Sequence, residues 1–312
     1  MDFDRFQRDA KRTDNLQFEN NRTRAEFCTL GAMAQLGTLA GRLQKKTRDG
    51  EDYTSLELDV AERIGHLLWY LSTIATSFQL SMATIAADNI AFNDRRWPVG
   101  HDEIGDLFPV SFDSSFPESE RIPNALLAEF RVEQVSELEV VSVHLYDGPD
   151  PGGTSVPFGD PIDSNSWDND DNYHFHDVYH FAFVAYLGWS PVVRKLLKRK
   201  RKSEPDTDRI EDGARARDTE EAITSFIYNY LKRQNLIHTS EHVDTTLLTS
   251  IRMLCRDLEV KKRFERDWEQ AIVAGASAER ELVENKGGWI VANRISRTVK
   301  FYPNESAVRA EM

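Results

Sequence analysis

Ile64-Gly65-His66-Leu67-Leu68-Trp69-Tyr70-Leu71-Ser72-Thr73-Ile74 puts Ile64, Leu67, Leu68, Leu71 and Ile74 at i, i+3, i+4, i+7 and i+10. That spacing is the apolar stripe of an amphipathic helix. Upstream, Phe3, Phe6 and Ala10 are spaced for a short opening helix, and Phe27, Leu30, Ala34, Gly37 and Leu43 form the stripe of a longer one. Arg48–Asp52 reads as the break between them and the quoted segment. Ser81 is a good N-cap for a fourth helix, with Leu80 and Ile85 placed as a hydrophobic staple. This helix is expected to end near Trp97-Pro98, because the residue before proline avoids helical backbone.

The texture then changes. Residues 98–125 carry Pro98, Pro109, Pro117 and Pro123 among Gly, Ser and Asp, a linker composition. Leu127–Gln134 and Leu138–Tyr146 are rich in β-formers and predict a strand pair. A loop rich in Gly, Pro and Asp is expected from Asp147 to Asn172. Helices are expected from His176, with Ser190-Pro191 as an N-cap and N1 pair, as far as Asn285. Gly287-Gly288 ends them, and Trp289–Ile295 with Thr298–Tyr302 predicts a closing hairpin that joins the earlier strands. The expected fold class is α+β, mainly α. The expected domains are a four-helix bundle over 1–98, a linker over 99–125, and a helical domain with a small antiparallel sheet over 126–312.

At 312 residues with 40% apolar and 29% charged side chains, the chain has enough apolar material for a sizeable core. Its net charge of −13 argues against a protein that coats nucleic acid or an anionic membrane. Two cysteines, Cys28 and Cys255, exclude a disulfide framework or a cysteine-based zinc site. The opening Met1-Asp2-Phe3-Asp4-Arg5-Phe6 is too charged for a signal-peptide core, and no apolar run approaches the ~20 residues of a membrane-spanning helix. A cytoplasmic location is the expectation.

Four segments of the first hundred residues carry a family resemblance: Leu30–Gly37, Lys45–Gly50, Glu62–Leu71 and Ala87-Asp88-Asn89 before Arg96-Trp97. Together they resemble the MazG-like all-α nucleoside triphosphate pyrophosphohydrolases. The resemblance implies a four-helix bundle that forms dimers or larger oligomers and acts on nucleoside triphosphates. It also implies two helical pairs of acids at i, i+3, which hold the metals that polarise phosphate and activate water. In this chain those positions fall on Gln35, Thr38, Arg63 and His66. Gln is a weak magnesium ligand and Arg repels the metal, so the first site is expected to be catalytically degenerate. Arg63 and His66 remain candidates for nucleotide phosphate binding.

The other polar constellation is Tyr173-His174-Phe175-His176-Asp177-Val178-Tyr179-His180. His176 and His180 share a helical face at i, i+4, a spacing that suits metal ligation or acid–base work. Histidines that cap a helix and satisfy its core give the same pattern. Glu220 and Glu221 offer paired carboxylates, and the basic run Arg194-Lys195 with Lys198–Lys202 offers cations for phosphate. The candidate catalytic residues are therefore His176, Asp177 and Glu221, and the candidate metal ligands His176, His180 and Glu220. Lys198, Arg199 and Lys200 join Arg63 and His66 as candidate nucleotide-binding residues, and the expected cofactor is a divalent metal (Mg, Mn or Zn). The expected partners are a nucleoside triphosphate or related nucleotide, further copies of the chain and a protein partner, with neither nucleic acid nor membrane. Two functions are in play: a metal-dependent nucleotide phosphohydrolase seated in the second domain, and a non-catalytic nucleotide sensor or scaffold subunit.

Overall fold

The computed structural model describes residues 2–15, 17–96, 111–163, 171–234 and 243–311. The chain divides into two compact units, Met1–Asp94 and Arg95–Met312. The first unit is all helical: α1 (Phe3–Arg12), α2 (Asn21–Asp49), α3 (Leu56–Ser77) and α4 (Met82–Arg96). Asp2, Asn20 and Ser81 each accept a backbone N–H at the start of a helix. Gln7 ties α1 to the turn between α3 and α4 by donating to Thr76 Oγ1 and accepting from the Met82 N–H. Trp97 and Pro98, the expected stop of α4, lie outside the described residues.

The stripe expected on α2 turns outward. The buried positions of α2 are Ala25, Cys28 and Ala32, while Phe27, Leu30, Met33 and Leu43 are exposed, Leu30 by 67% and Met33 by 62%. Likewise α3 buries Ser72, Thr73, Ala75 and Ser77 and leaves Ile64 and Leu71 exposed. Small side chains let the helices approach closely, and a Cβ on Gly31 would collide with the Tyr70 ring. One copy of this unit thus keeps its small residues inside and shows its large apolar ones to solvent.

The second unit is built on a five-stranded antiparallel sheet of order β3-β2-β1-β4-β5, formed by β1 (Ala125–Val135), β2 (Leu138–Tyr146), β3 (Ser155–Pro157), β4 (Gly288–Asn293) and β5 (Thr298–Tyr302). The closing hairpin does join the earlier strands, with β4 pairing β1 from Ala125↔Asn293 to Phe130↔Gly288. The continuous apolar run at the start of β1 has a physical reason. Leu126, Ala128 and Phe130 face the main core, whereas Leu127 faces a small cluster of Tyr146, Trp289 and Val308 on the other side. Val308 belongs to α11 (Glu305–Glu311), which, like β3 within the expected loop, was not foreseen from the sequence.

The main core forms around α5 (Val178–Leu187), in which nine of ten residues are buried. A helix that is apolar on every side belongs at the centre of a domain, and α5 packs on β4, β5 and α10 (Glu265–Asn285). Gly188 at φ +61° ends it. Around it lie α6 (Pro191–Leu196), α7 (Pro205–Ile210), α8 (Ala214–Gln234) and α9 (Thr245–Leu254). Ser190 caps α6 by accepting the Val193 N–H, with Pro191 in its first turn.

The expected linker needs correction in its second half; residues 97–110 lie outside the described ones. Asp113 is fully buried, accepts the Ile122 N–H at 2.8 Å and pairs with Arg194 at 2.6 Å and Arg294 at 3.2 Å. Burial alone would raise its pKa, but the two guanidinia hold it down to about 2. The segment from Phe112 to Asn124 is part of the second unit because it carries the counter-ion of Arg194.

Candidate functional site

The 3-10 turn Tyr173–Phe175 delivers His176 and Asp177 to the start of α5, one turn before His180. They open onto a cleft of about 360 Å³ whose polar lining is Asp160, His176, Asp177, Lys195, Arg217, Asp218 and Glu221. Its apolar lining includes Phe158, Ile162, Val192 and Leu196. Arg217, Asp218 and Glu221 lie on one face of α8, since their spacing is i, i+4 and i, i+3.

Behind this surface is a buried polar hub. Glu220 is fully buried and takes three hydrogen bonds: from His180 Nδ1 at 2.7 Å, Ser190 Oγ at 2.6 Å and the Val192 N–H at 2.9 Å. The opposite nitrogen of His180, Nε2, makes no hydrogen bond with the described residues; it faces Glu221 Oε2 at 3.4 Å and Asp177 Oδ1 at 4.0 Å. Burial lowers the His180 pKa, but the charge and hydrogen bond of Glu220, with Glu221 adding to them, raise it to about 10. Burial pushes Asp177 up against the two histidines, whereas Glu221 is brought down, despite burial, by His180.

His176 is anchored through one ring nitrogen: its Nδ1 lies 2.8 Å from the Tyr173 carbonyl, which can only accept, so Nδ1 donates. Nε2 faces Asp177 Oδ1 at 3.5 Å. The ring stacks on Tyr173 at 4.0 Å between centroids, which fixes its plane.

The structure brings His176, Asp177, His180, Glu220 and Glu221 together, with two differences from the expected roles. Glu220, expected as a metal ligand, has both oxygens occupied by protein donors, and it is Glu221 that lines the cleft. Of the basic run only Lys195 lines it. Helix α6 stops at Leu196 and Lys198 adopts φ +58°, so the run turns away instead of continuing along one face. Arg199 forks onto Asp147 at 2.7 and 2.9 Å, Lys200 pairs with Asp208, and buried Arg201 joins Asp212 and Glu259. The cations at the cleft are Lys195, from the start of the run, and Arg217; the i+4 relation of Arg217 to Glu221 was the readable signal for it. Asp160 and Asp218 were not singled out.

Among the described residues no group of three or more His, Cys, Asp or Glu side chains is arranged to hold a metal ion. In the first unit, Arg63 donates to Gln35 Oε1 at 2.9 Å and pairs with Glu62 at 2.5 Å, and His66 Nδ1 lies 3.3 Å from the same Gln35 oxygen. Both side chains proposed to meet phosphate are thus engaged with Gln35, and a guanidinium occupies the inter-helix position of the expected acids.

No helix of the described residues is long and apolar enough to cross a membrane. No curated protein and no solved structure matches the chain. The sequence model of one family, the MazG C-terminal domain, matches residues 108–305, well over half of the chain and nearly all of the second unit. The protein belongs to the MazG C-terminal domain family.

Proposed function

We propose that the cleft of the second unit binds a magnesium nucleotide and hydrolyses a phosphoanhydride bond in it. The observation that carries this reading is the pairing of Asp177 and Glu221 beside the buried His180, with Lys195 and Arg217 on the same cleft. Membership of a MazG-related family supports a nucleotide as the ligand. Magnesium needs no protein cage: it keeps several waters and is held by one or two carboxylates plus the substrate phosphates. Asp177 and Glu221 are such a pair. When bound there, the metal supplies charge for the phosphate oxygens and orders the attacking water. Lys195 and Arg217 bind phosphate oxygens. His176 Nε2, the ring nitrogen not bonded to Tyr173, takes the proton of the attacking water as its oxygen bonds to phosphorus and the bridging P–O bond breaks, the bridging oxygen leaving with the departing phosphate. His180 holds Asp177 and Glu221 in place without touching the ligand.

In this reading Lys195→Ala and Arg217→Ala each weaken magnesium–nucleotide binding by about ten- to a hundredfold, the range for a lost charge-assisted hydrogen bond. His176→Gln leaves binding intact and removes phosphate release. Titration of the full chain with a nucleotide panel, followed by a phosphate-release assay, checks both. Absence of nucleotide binding overturns the proposal; binding unaffected by either cation substitution removes this cleft from it. Binding without turnover identifies the protein as a nucleotide sensor or scaffold instead.

The outward apolar faces of α2 and α3 further support a homo-oligomer built through the first unit. Light scattering at micromolar concentration is expected to give a mass above that of one chain, and Leu30→Glu with Met33→Glu to return it to monomer. A concentration-independent monomer mass for the unaltered chain contradicts this expectation.

A further inference from the structure

We propose that Asp160 and Asp218 read the sugar of the ligand, so that the cleft takes ribonucleotides in preference to 2′-deoxyribonucleotides; this rests on the nucleotide reading above. Four carboxylates line the cleft against two permanent cations, Lys195 and Arg217. Two of the four have a use there. Asp177 and Glu221 face the fully buried His180 Nε2, which has no hydrogen bond with the described residues. Asp160, on the loop after β3, and Asp218, on α8, are exposed at the cleft and make no hydrogen bond or ion pair with the described residues, so water is their partner until a ligand displaces it.

Two uncompensated carboxylates are unfavourable neighbours for a polyanion. Like charges about 4 Å apart repel by roughly 1 kcal/mol in water and about 4 kcal/mol near a protein surface. A ligand that displaces their water gains by bringing donors to these positions, because an ionised carboxylate only accepts. A nucleotide carries its neutral donors on the sugar and on the base edge. The sugar fits better. Two vicinal hydroxyls match the two oxygens of one carboxylate, the same chemistry by which an acidic side chain takes ribose hydroxyls in dinucleotide-binding folds. The base has Phe158, Ile162, Val192 and Leu196 to lie against, which are apolar.

The order of groups along α8 agrees with this. Glu221 stands at the metal, Arg217 one turn earlier at the phosphates, and Asp218 beside Arg217, where the sugar follows the phosphate chain. A site whose polar groups are set to bond a hydroxyl rejects the analogue lacking it, because those groups are then left unpaired.

The test is equilibrium binding of the full chain to ATP and dATP, and to GTP and dGTP, all with magnesium. Each ribonucleotide is expected to bind at least tenfold more tightly than its 2′-deoxy counterpart. Asp160→Asn and Asp218→Asn are expected to bring that ratio toward one, chiefly by improving the deoxynucleotide, while Lys195→Ala weakens both sugars alike. A ratio near one for the unaltered chain, with binding still dependent on Lys195, overturns the sugar reading and leaves the nucleotide reading standing. Discrimination that follows the base and not the sugar overturns it too. No binding of any of the four overturns both.

Discussion

Replacing Glu220 and Glu221 separately by alanine should split stability from binding. Glu220→Ala removes the acceptor of three buried donors at once: the His180 ring, the Ser190 hydroxyl and the Val192 N–H. It also leaves a buried imidazolium without its closest counter-charge. Breaking a buried charged pair by removing one partner costs about 3–5 kcal/mol, and the first turn of α6, which leads to Lys195, loses its anchor. Glu220→Gln keeps the shape and one acceptor oxygen but points an amide N–H₂ at one of the donors, so an intermediate loss is expected. Glu221 is half exposed on the cleft and meets that hub only across 3.4 Å from His180 Nε2. Glu221→Ala should therefore change stability by less than about 1 kcal/mol while removing magnesium–nucleotide binding. Urea denaturation combined with nucleotide titration of the three variants measures both effects. Equal destabilisation by the two alanine variants would show that Glu220 is not the organising group.

The coarse fold of this chain was readable because it rests on local patterns. Segments rich in β-formers marked β1 and β2, Gly287-Gly288 marked the end of α10, and Ser190-Pro191 marked the start of α6. What was not readable depended on which side of an element meets a partner. The stripe on α2 has helical spacing whichever face is buried, and only the coordinates show that Ala25, Cys28 and Ala32 point inward. The short edge strand β3 carries too few residues to show a period, and it forms because β2 offers it a partner edge from His144 to Tyr146.

The same limit governs the site. His176, His180 and the Glu220-Glu221 pair were visible as residue types at helical spacing, and their convergence follows from α5 and α8 packing in one core. Which of two adjacent glutamates faces inward was not visible, since a single step of about 100° along the helix decides it. The basic run misled for a related reason. Consecutive cations look like one patch in sequence, but a positive φ at Lys198 sends successive side chains to Asp147, Asp208 and Asp212. Charge that is dense along the chain was spent on folding, and the two cations at the cleft come from separate helices.

Glu279 is the second group whose replacement should have a large effect, and here the effect depends on pH. It is fully buried on α10, and among the described residues its one hydrogen bond comes from Tyr179 Oη at 2.9 Å. Burial pushes its pKa up from 4.5 to about 7, with the Tyr179 hydrogen bond working against the shift. A carboxyl whose folded pKa lies above its unfolded one favours folding while protonated, so its contribution is complete below about pH 4.5 and is lost as pH rises through about 7. The shift corresponds to roughly 3 kcal/mol at about 1.4 kcal/mol per pH unit. Glu279→Gln keeps an acceptor oxygen for Tyr179 and, like the protonated acid, carries no charge. The variant should therefore match the unaltered protein near pH 4.5 and exceed it near pH 8 by about 2–3 kcal/mol. Taking the difference between the two proteins at each pH cancels every other titrating group. Urea denaturation at the two pH values supplies that difference, and a value that does not change with pH would mean Glu279 stays ionised in the folded core. In that case a charge-balancing partner would have to reach Glu279 in solution, and Tyr179→Phe, which removes that hydrogen-bond donor, should then cost less than the ~1.5–3 kcal/mol of a hydrogen bond to a charged group.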